Sequence, residues 1–462
     1  MEKIRKTLIG DRAFYKTVAA LVVPVIIQNA ITNFVSLLDN IMVGQVGTLQ
    51  MSGVAIANQL FFVFYLCVFG GISGAGIFTA QFYGAGDNDG VRNTFRFKII
   101  TVLALLAVAL VVFLGWGEEL VSMYLTDTSD PVASAETLGY ALDYIQVILW
   151  GLLPYAISCC YSGTMRETGE TVLPMVASLA AVLTNLVGNY ILIYGHLGFE
   201  AMGVRGAAIA TVISRFVELF ILVFATHRSK LRFRFIEGAW RTLAVPGPLA
   251  KAIIVRGMPL LVNECLWAMG QAKLSQLYSI RGLSVIAAFN ISNTVADLFN
   301  TVFLSMGNAV AIMIGQALGA NENERAKREV WQLMALSIAC CFVMGSLLAL
   351  FSPFIPRLYN TTDAVRSLAT EFLLITAAFM AVNAFAHASY FTLRSGGKTF
   401  ITFLFDSVFS WVVCVPVAAA MIYWTGASIT LIYATVMATS LIKCVLGYIL
   451  IRKGVWIHNI VS

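Results

Sequence analysis

Few side chains in this sequence can do chemistry, and the foremost are acids set among apolar neighbours. Glu264 lies about 11 residues into the apolar run 252–279, roughly 16 Å deep at the helical rise. An ionised side chain at mid-bilayer costs roughly 2.5–3.5 kcal/mol on insertion scales, so a run that keeps one has a use for it. Desolvation favours the neutral carboxyl, which can exchange a proton, while the ionised form is a hard oxygen ligand suited to sodium. The plainer reading is a carboxyl paired within a helix bundle. Asp39, in the outer half of the run 17–40, offers the same chemistry or caps a helix end. Lys273 is their basic counterpart, either snorkelling to the surface or facing Asp39 across an outer mouth. Asp297 and Asp406 suit a cavity wall or hydrogen bonds within the C-terminal half. His387 is of the one type that changes charge near neutral pH, though a lone helix histidine is more often structural. Arg215 and Glu218, three apart, suit each other. Asp143 and Glu371 fall at outer helix ends, Glu371 near Arg366.

Other chemistries lack their residues. Gly397-Lys398-Thr399 ends like a phosphate loop, but Thr392 stands where the first glycine is needed. His196, His227, His387 and His458 are scattered, so no zinc-protease pair exists, and the chain reads as no enzyme. The eight cysteines all fall in apolar runs and act as small hydrophobes.

The elements that must position these residues are membrane spans. The 462 residues are 59% apolar and only 12% charged, against about 25% charged in soluble domains. A helix needs about 20 apolar residues to cross a bilayer. Twelve runs qualify: 17–40, 53–80, 95–115, 137–160, 172–194, 204–226, 252–279, 284–314, 331–352, 367–391, 400–423 and 428–451. The fold class is an all-α polytopic membrane protein.

With the N-terminus inside, 23 of the 30 basic residues fall on inner segments, 4 on outer ones and 3 within spans. That asymmetry puts both termini in the cytoplasm. It also puts Arg394 and the 227–251 segment inside and residues 126–130 outside. The net charge of +6 is therefore a topology signal, not a nucleic-acid one. The basic N-terminus reads as no cleavable signal peptide. The longest inner segment divides the chain into an N-terminal lobe (1–230), a linker (231–251) and a C-terminal lobe (252–462).

Shifted by 235 residues, the first half lands on the second. Pro24 meets Pro259, Gly47 meets Gly282, and Gln81, Gly84 and Asn88 meet Gln316, Gly319 and Asn323. Beyond span 3 the offset becomes 228, and Arg166 to Thr171 meets Arg394 to Thr399. Six spans per half make the repeats parallel, an arrangement typical of transporters that rock two lobes about a central site. Glu264 and Asp39 are not repeat mates, so one coupling site per cycle is expected rather than two equivalent ones.

Pro24, the segment Asp39 to Gly44, the Gln-x-x-Gly-Ala corners at Gln81 and Gln316, and the Leu393 to Gly397 loop together resemble the multidrug and toxic-compound extrusion (MATE) transporters. The resemblance implies a V-shaped fold of two six-helix lobes in a bacterial cell membrane, working as a monomer. It implies ion-coupled efflux, by alternating access, of amphipathic and often cationic small molecules in antiport with protons or sodium, with no cofactor besides that ion and no nucleic-acid partner. It makes Asp39 a coupling residue with Asn185 and Asn189 as companions, and Glu264 a coupling residue or sodium ligand. Asn383 stands where one sodium-coupled branch has an aspartate, which weakens the sodium reading. A lipid-linked oligosaccharide flippase of the same superfamily is the nearer rival, and a passive channel the more distant one.

Overall fold

The computed structural model describes residues 8–125, 131–359 and 361–461. Residues 126–130, expected outside, and the basic residues Lys3, Arg5 and Lys6 lie outside the described residues. Among the described residues there is no strand, and twelve helices are long and apolar enough to cross a membrane. They are α1 (Arg12–Gly44), α2 (Thr48–Gly84), α3 (Asn88–Ser122), α4 (Pro131–Glu167), α5 (Val172–Tyr194), α6 (Gly203–Arg228), α7 (Gly247–Ser279), α8 (Leu283–Gly319), α9 (Asn323–Phe351), α10 (Asp363–Ser395), α11 (Thr399–Trp424) and α12 (Ile429–Arg452). Each coincides with one expected run, and most are longer. Hydropathy marks only the stretch within the hydrocarbon, whereas a helix continues until its backbone finds other partners.

The helices are apolar all round, for two different reasons. In α3, Phe95, Ile99, Val102, Leu106 and Phe113 are buried in the protein, while Val108, Val111 and Leu114 are exposed on the other side. In lipid both faces favour the same residue types, so periodicity cannot separate them. α11 departs from regular geometry: it widens to π-helical turns at Leu404–Val408 and Ser410–Cys414.

The fold divides into two compact units. One comprises residues 27–79 and 88–252; the other takes the chain through Ile26, the corner 80–87, and residues 253–462. α1 changes unit two residues after Pro24, whose ring removes a helical hydrogen bond. The first unit packs Phe61 on Phe113 at 4.8 Å and Phe95 on Tyr161 at 5.0 Å between ring centroids. In the second, Phe14, Val18 and Leu21 of α1 join Met306, Val310 and Met313 of α8 and Leu333 of α9 in one core.

The two Gln-x-x-Gly corners meet in this second unit. Gly84 lies against the backbone of Gln316, and Gly319 against the backbone of Gln81; a Cβ would sit 2.0 Å and 1.9 Å from the respective carbonyl oxygens. The contact is reciprocal under the 235-residue offset, so repeat mates pack on each other about a local two-fold. Gln81 is fully buried and donates from Nε2 to the carbonyls of Ser395 (2.9 Å) and His458 (3.2 Å). Its Oε1 accepts from the amide of Ile460 at 2.8 Å. Gly84→Ala is expected to destabilise the protein by about 1–3 kcal/mol through overpacking. A thermal melt in detergent reads this as a lower midpoint, and an unchanged midpoint would show that the corner yields freely.

Candidate functional site

In the unit built from residues 27–79 and 88–252, small residues set the geometry. A Cβ on Gly188 of α5 would lie 2.9 Å from the Ala210 Cβ of α6, and one on Gly206 would lie 2.5 Å from the Leu192 carbonyl oxygen. The two helices therefore touch backbone to backbone, as small residues allow in membranes. That closeness brings Asn185 and Asn189, four apart on α5 and both buried, beside Thr211 of α6 and Asp39 of α1. Asn189 Nδ2 donates to Asp39 Oδ1 at 2.8 Å. With its amide turned to satisfy its neighbours, Asn185 donates to both Asp39 oxygens, at 2.8 and 3.0 Å, and accepts from Thr211 Oγ1 at 3.1 Å. Asn189 Oδ1 is buried and has no hydrogen-bond partner among the described residues. Asp39 is thus held by neutral donors and has no salt bridge among the described residues.

Two bases in this unit are paired with acids. Arg215 pairs with Glu218 at 3.3 Å, as expected, and its guanidinium lies 5.1 Å from the centroid of the Tyr155 ring. Lys98, counted from sequence with the inner basic residues, is fully buried in α3; it pairs with Glu167 and donates to Thr164 Oγ1 at 3.1 Å.

In the other unit, Glu264 sits near the middle of the 33-residue α7 and is half-buried. Next to it, buried Asn263 ties α7 to α11: its carbonyl accepts from Ser407 Oγ and its Oδ1 from the same hydroxyl, both at 2.7 Å. Asn263 Nδ2 donates to Asp406 Oδ2 at 3.3 Å, and Lys443 Nζ of α12 donates to Asp406 Oδ1 at 2.9 Å. Asp406 and Ser407 both lie in the π-helical turn, which re-aims side chains that a regular helix would place elsewhere; such turns recur at functional sites. Asp406 is neutralised by Lys443, whereas Glu264 has no salt bridge among the described residues.

Lys273 is exposed and donates to Gln276 of its own helix at 2.9 Å. Asp297 is exposed on α8, and half-buried Asn383 makes no side-chain hydrogen bond among the described residues. His387 is ringed by Phe303 and Phe391, at 5.0 and 4.9 Å, with its buried Nε2 unpartnered among the described residues. Arg366 pairs with Asp363 at 2.9 Å, and Glu371 instead accepts from Thr430 Oγ1. Sequence reasoning missed Thr211, Asn263 and Ser407, which are uncharged and so carry no insertion cost to flag them. The Asp406–Lys443 pair had a signal: a lysine within a span that cannot reach the surface favours a carboxylate partner.

The MatE family model matches this chain over residues 24–191 and 259–420. The two stretches begin at the repeat mates Pro24 and Pro259. A probable multidrug resistance protein NorM of Thermotoga maritima is 24% identical over 450 residues, covering 96% of this chain and 93% of that protein. A probable multidrug resistance protein YoeA of Bacillus subtilis is 24% identical over 470 residues, covering 97% and 96%. A solved structure described as the outward-facing conformation of a multidrug resistance MATE family transporter of the MOP superfamily superposes with a TM-score of 0.85 at 20% identity, covering 96% of each chain.

Proposed function

Because this chain belongs to the MatE family of transporters, matched over most of both halves, we propose that it exports amphipathic, often cationic small molecules across a bacterial cell membrane, driven by an inward ion gradient. The observation that carries the coupling is the contrast among its membrane-embedded acids. Glu167, Glu218 and Asp406 are each paired with a base, whereas Asp39, Glu264 and Asp297 have none among the described residues; of these three, Asp297 is exposed while Asp39 and Glu264 are half-buried. An unmatched carboxylate in an apolar layer is stable only with a proton, a cation or water beside it. Access to water from alternate sides then lets such a group load on one face and release on the other.

The two acids differ in what they can hold. At Asp39 the carboxylate, bridged only by neutral amide donors, and the nearby unpartnered Asn189 Oδ1 are oxygens fit for a proton or sodium. Near Glu264, Asp406 is engaged by Lys443 and Asn263 by Ser407, so few oxygens remain for sodium and the proton is the favoured ligand. The excess of bases on inner segments supports cytoplasmic termini.

Dye efflux from vesicles holding the purified protein, with proton and sodium gradients imposed separately, tests the proposal. Export should follow one gradient and stop when it is collapsed. Dye movement indifferent to both would replace the antiporter with a channel.

A further inference from the structure

We propose that the cavity where the segment after α6 folds back on the start of α3 binds a phosphate-bearing anion, the headgroup of an acidic phospholipid. Its volume is about 880 Å³, within the roughly 300–1,000 Å³ of small-ligand sites. Arg92 and Arg96 line it from the first turns of α3, and Lys230 and Arg241 from the returning segment. Against these four cations stands one lining acid, Glu237. His227 adds a ring whose Nδ1 lies 2.9 Å from the Val223 carbonyl oxygen.

The cavity is built rather than a chance gap in a loop. Arg96 donates to the carbonyls of Gly238 (2.7 Å) and Ala239 (3.0 Å), which fixes the returning segment. Trp240 Nε1 donates to Tyr161 Oη at 3.1 Å, and Phe235 packs on Phe95 with centroids 5.4 Å apart. Arg92 is only partly satisfied: one terminal nitrogen pairs with Asp89, while its buried Nε has no hydrogen-bond partner among the described residues. Its single acid partner leaves the other guanidinium donors of Arg92 for an oxyanion in the cavity, a charge-assisted contact. The cavity lies where α3 begins and α6 ends, the level at which spanning helices leave the apolar layer. A partly exposed tryptophan in its wall suits that level, and basic pockets there recognise anionic headgroups.

The test uses the full-length protein in non-ionic detergent, titrated with phosphatidylglycerol, phosphatidylcholine or inorganic pyrophosphate, with binding read by native mass spectrometry and thermal melting. Phosphatidylglycerol should bind and raise the melting midpoint; phosphatidylcholine should not. The double variant Lys230→Gln, Arg241→Gln removes two exposed cations that hold no part of the fold. It should melt like the wild type without anionic lipid and bind phosphatidylglycerol roughly tenfold or more weakly. The control Lys327→Gln, Arg328→Gln on α9 should bind as the wild type does. Pyrophosphate that binds with the same dependence on Lys230 and Arg241, and excludes the lipid, keeps the phosphate site and makes its source soluble. No binding of either probe, equal binding by the wild type and the Lys230/Arg241 variant, or an equal loss in the control overturns the proposal.

Discussion

Asp39→Asn is expected to abolish gradient-driven efflux while leaving a folded protein that still binds drug. The substitution preserves shape, and the asparagine oxygen can still accept from Asn189 Nδ2, which now lies 2.8 Å from Asp39 Oδ1. What disappears is the charge. No carboxylate then remains to draw a proton or sodium into the cluster. Loss of about 1.4 kcal/mol of linked free energy is already tenfold, so efflux should fall by roughly tenfold or more. Vesicles with matched protein content give the measurement, under each gradient in turn. Wild-type export by the variant under both gradients would remove Asp39 from the mechanism. Asn189→Ala takes away the bond to Asp39 without changing charge, and should weaken coupling less.

Glu264→Gln is expected to have an effect of similar size, by a different local route. Glu264 sits near the middle of α7, beside the Asn263 that fastens this helix to α11. Glutamine keeps the size and hydrogen bonding of the side chain but cannot take up and release a proton. Efflux driven by a proton gradient should drop by roughly tenfold or more, and its dependence on external pH should flatten. Asp406→Asn separates this from mere damage. That change strands Lys443, and breaking such a partly buried pair lowers stability, so membrane abundance should fall. Glu264→Gln should leave abundance unchanged. If it pumps like the wild type under both gradients at matched abundance, the carboxyl is structural and coupling rests on Asp39. If it loses abundance as Asp406→Asn does, its role is in the fold.

Composition, run length and charge placement in the sequence alone determined the class of this protein: an all-helical chain with twelve spans in two related halves. These are additive properties. A bilayer charges each residue separately for leaving water, so the sum over a run can be read before any contact is known. Asp39 and Glu264 were legible for the same reason, because a carboxylate within a span stands out against its insertion cost.

Tertiary structure alone decided which of those acids are matched. Asp406 and Glu264 look alike in the sequence, but α12 carries Lys443 to one and brings no cation to the other within salt-bridge distance. The oxygen cluster at Asp39 exists because Gly188 and Gly206 let α5 and α6 approach closely enough to put Asn185 beside Thr211. The π-helical turn that aims Asp406 at Asn263, and the folding of the segment after α6 into a basic cavity, have no period in the sequence to announce them. Each depends on pairs of residues brought together from distant helices. Lipid-facing and protein-facing sides are equally apolar, so hydropathy carries no record of which pairs will meet.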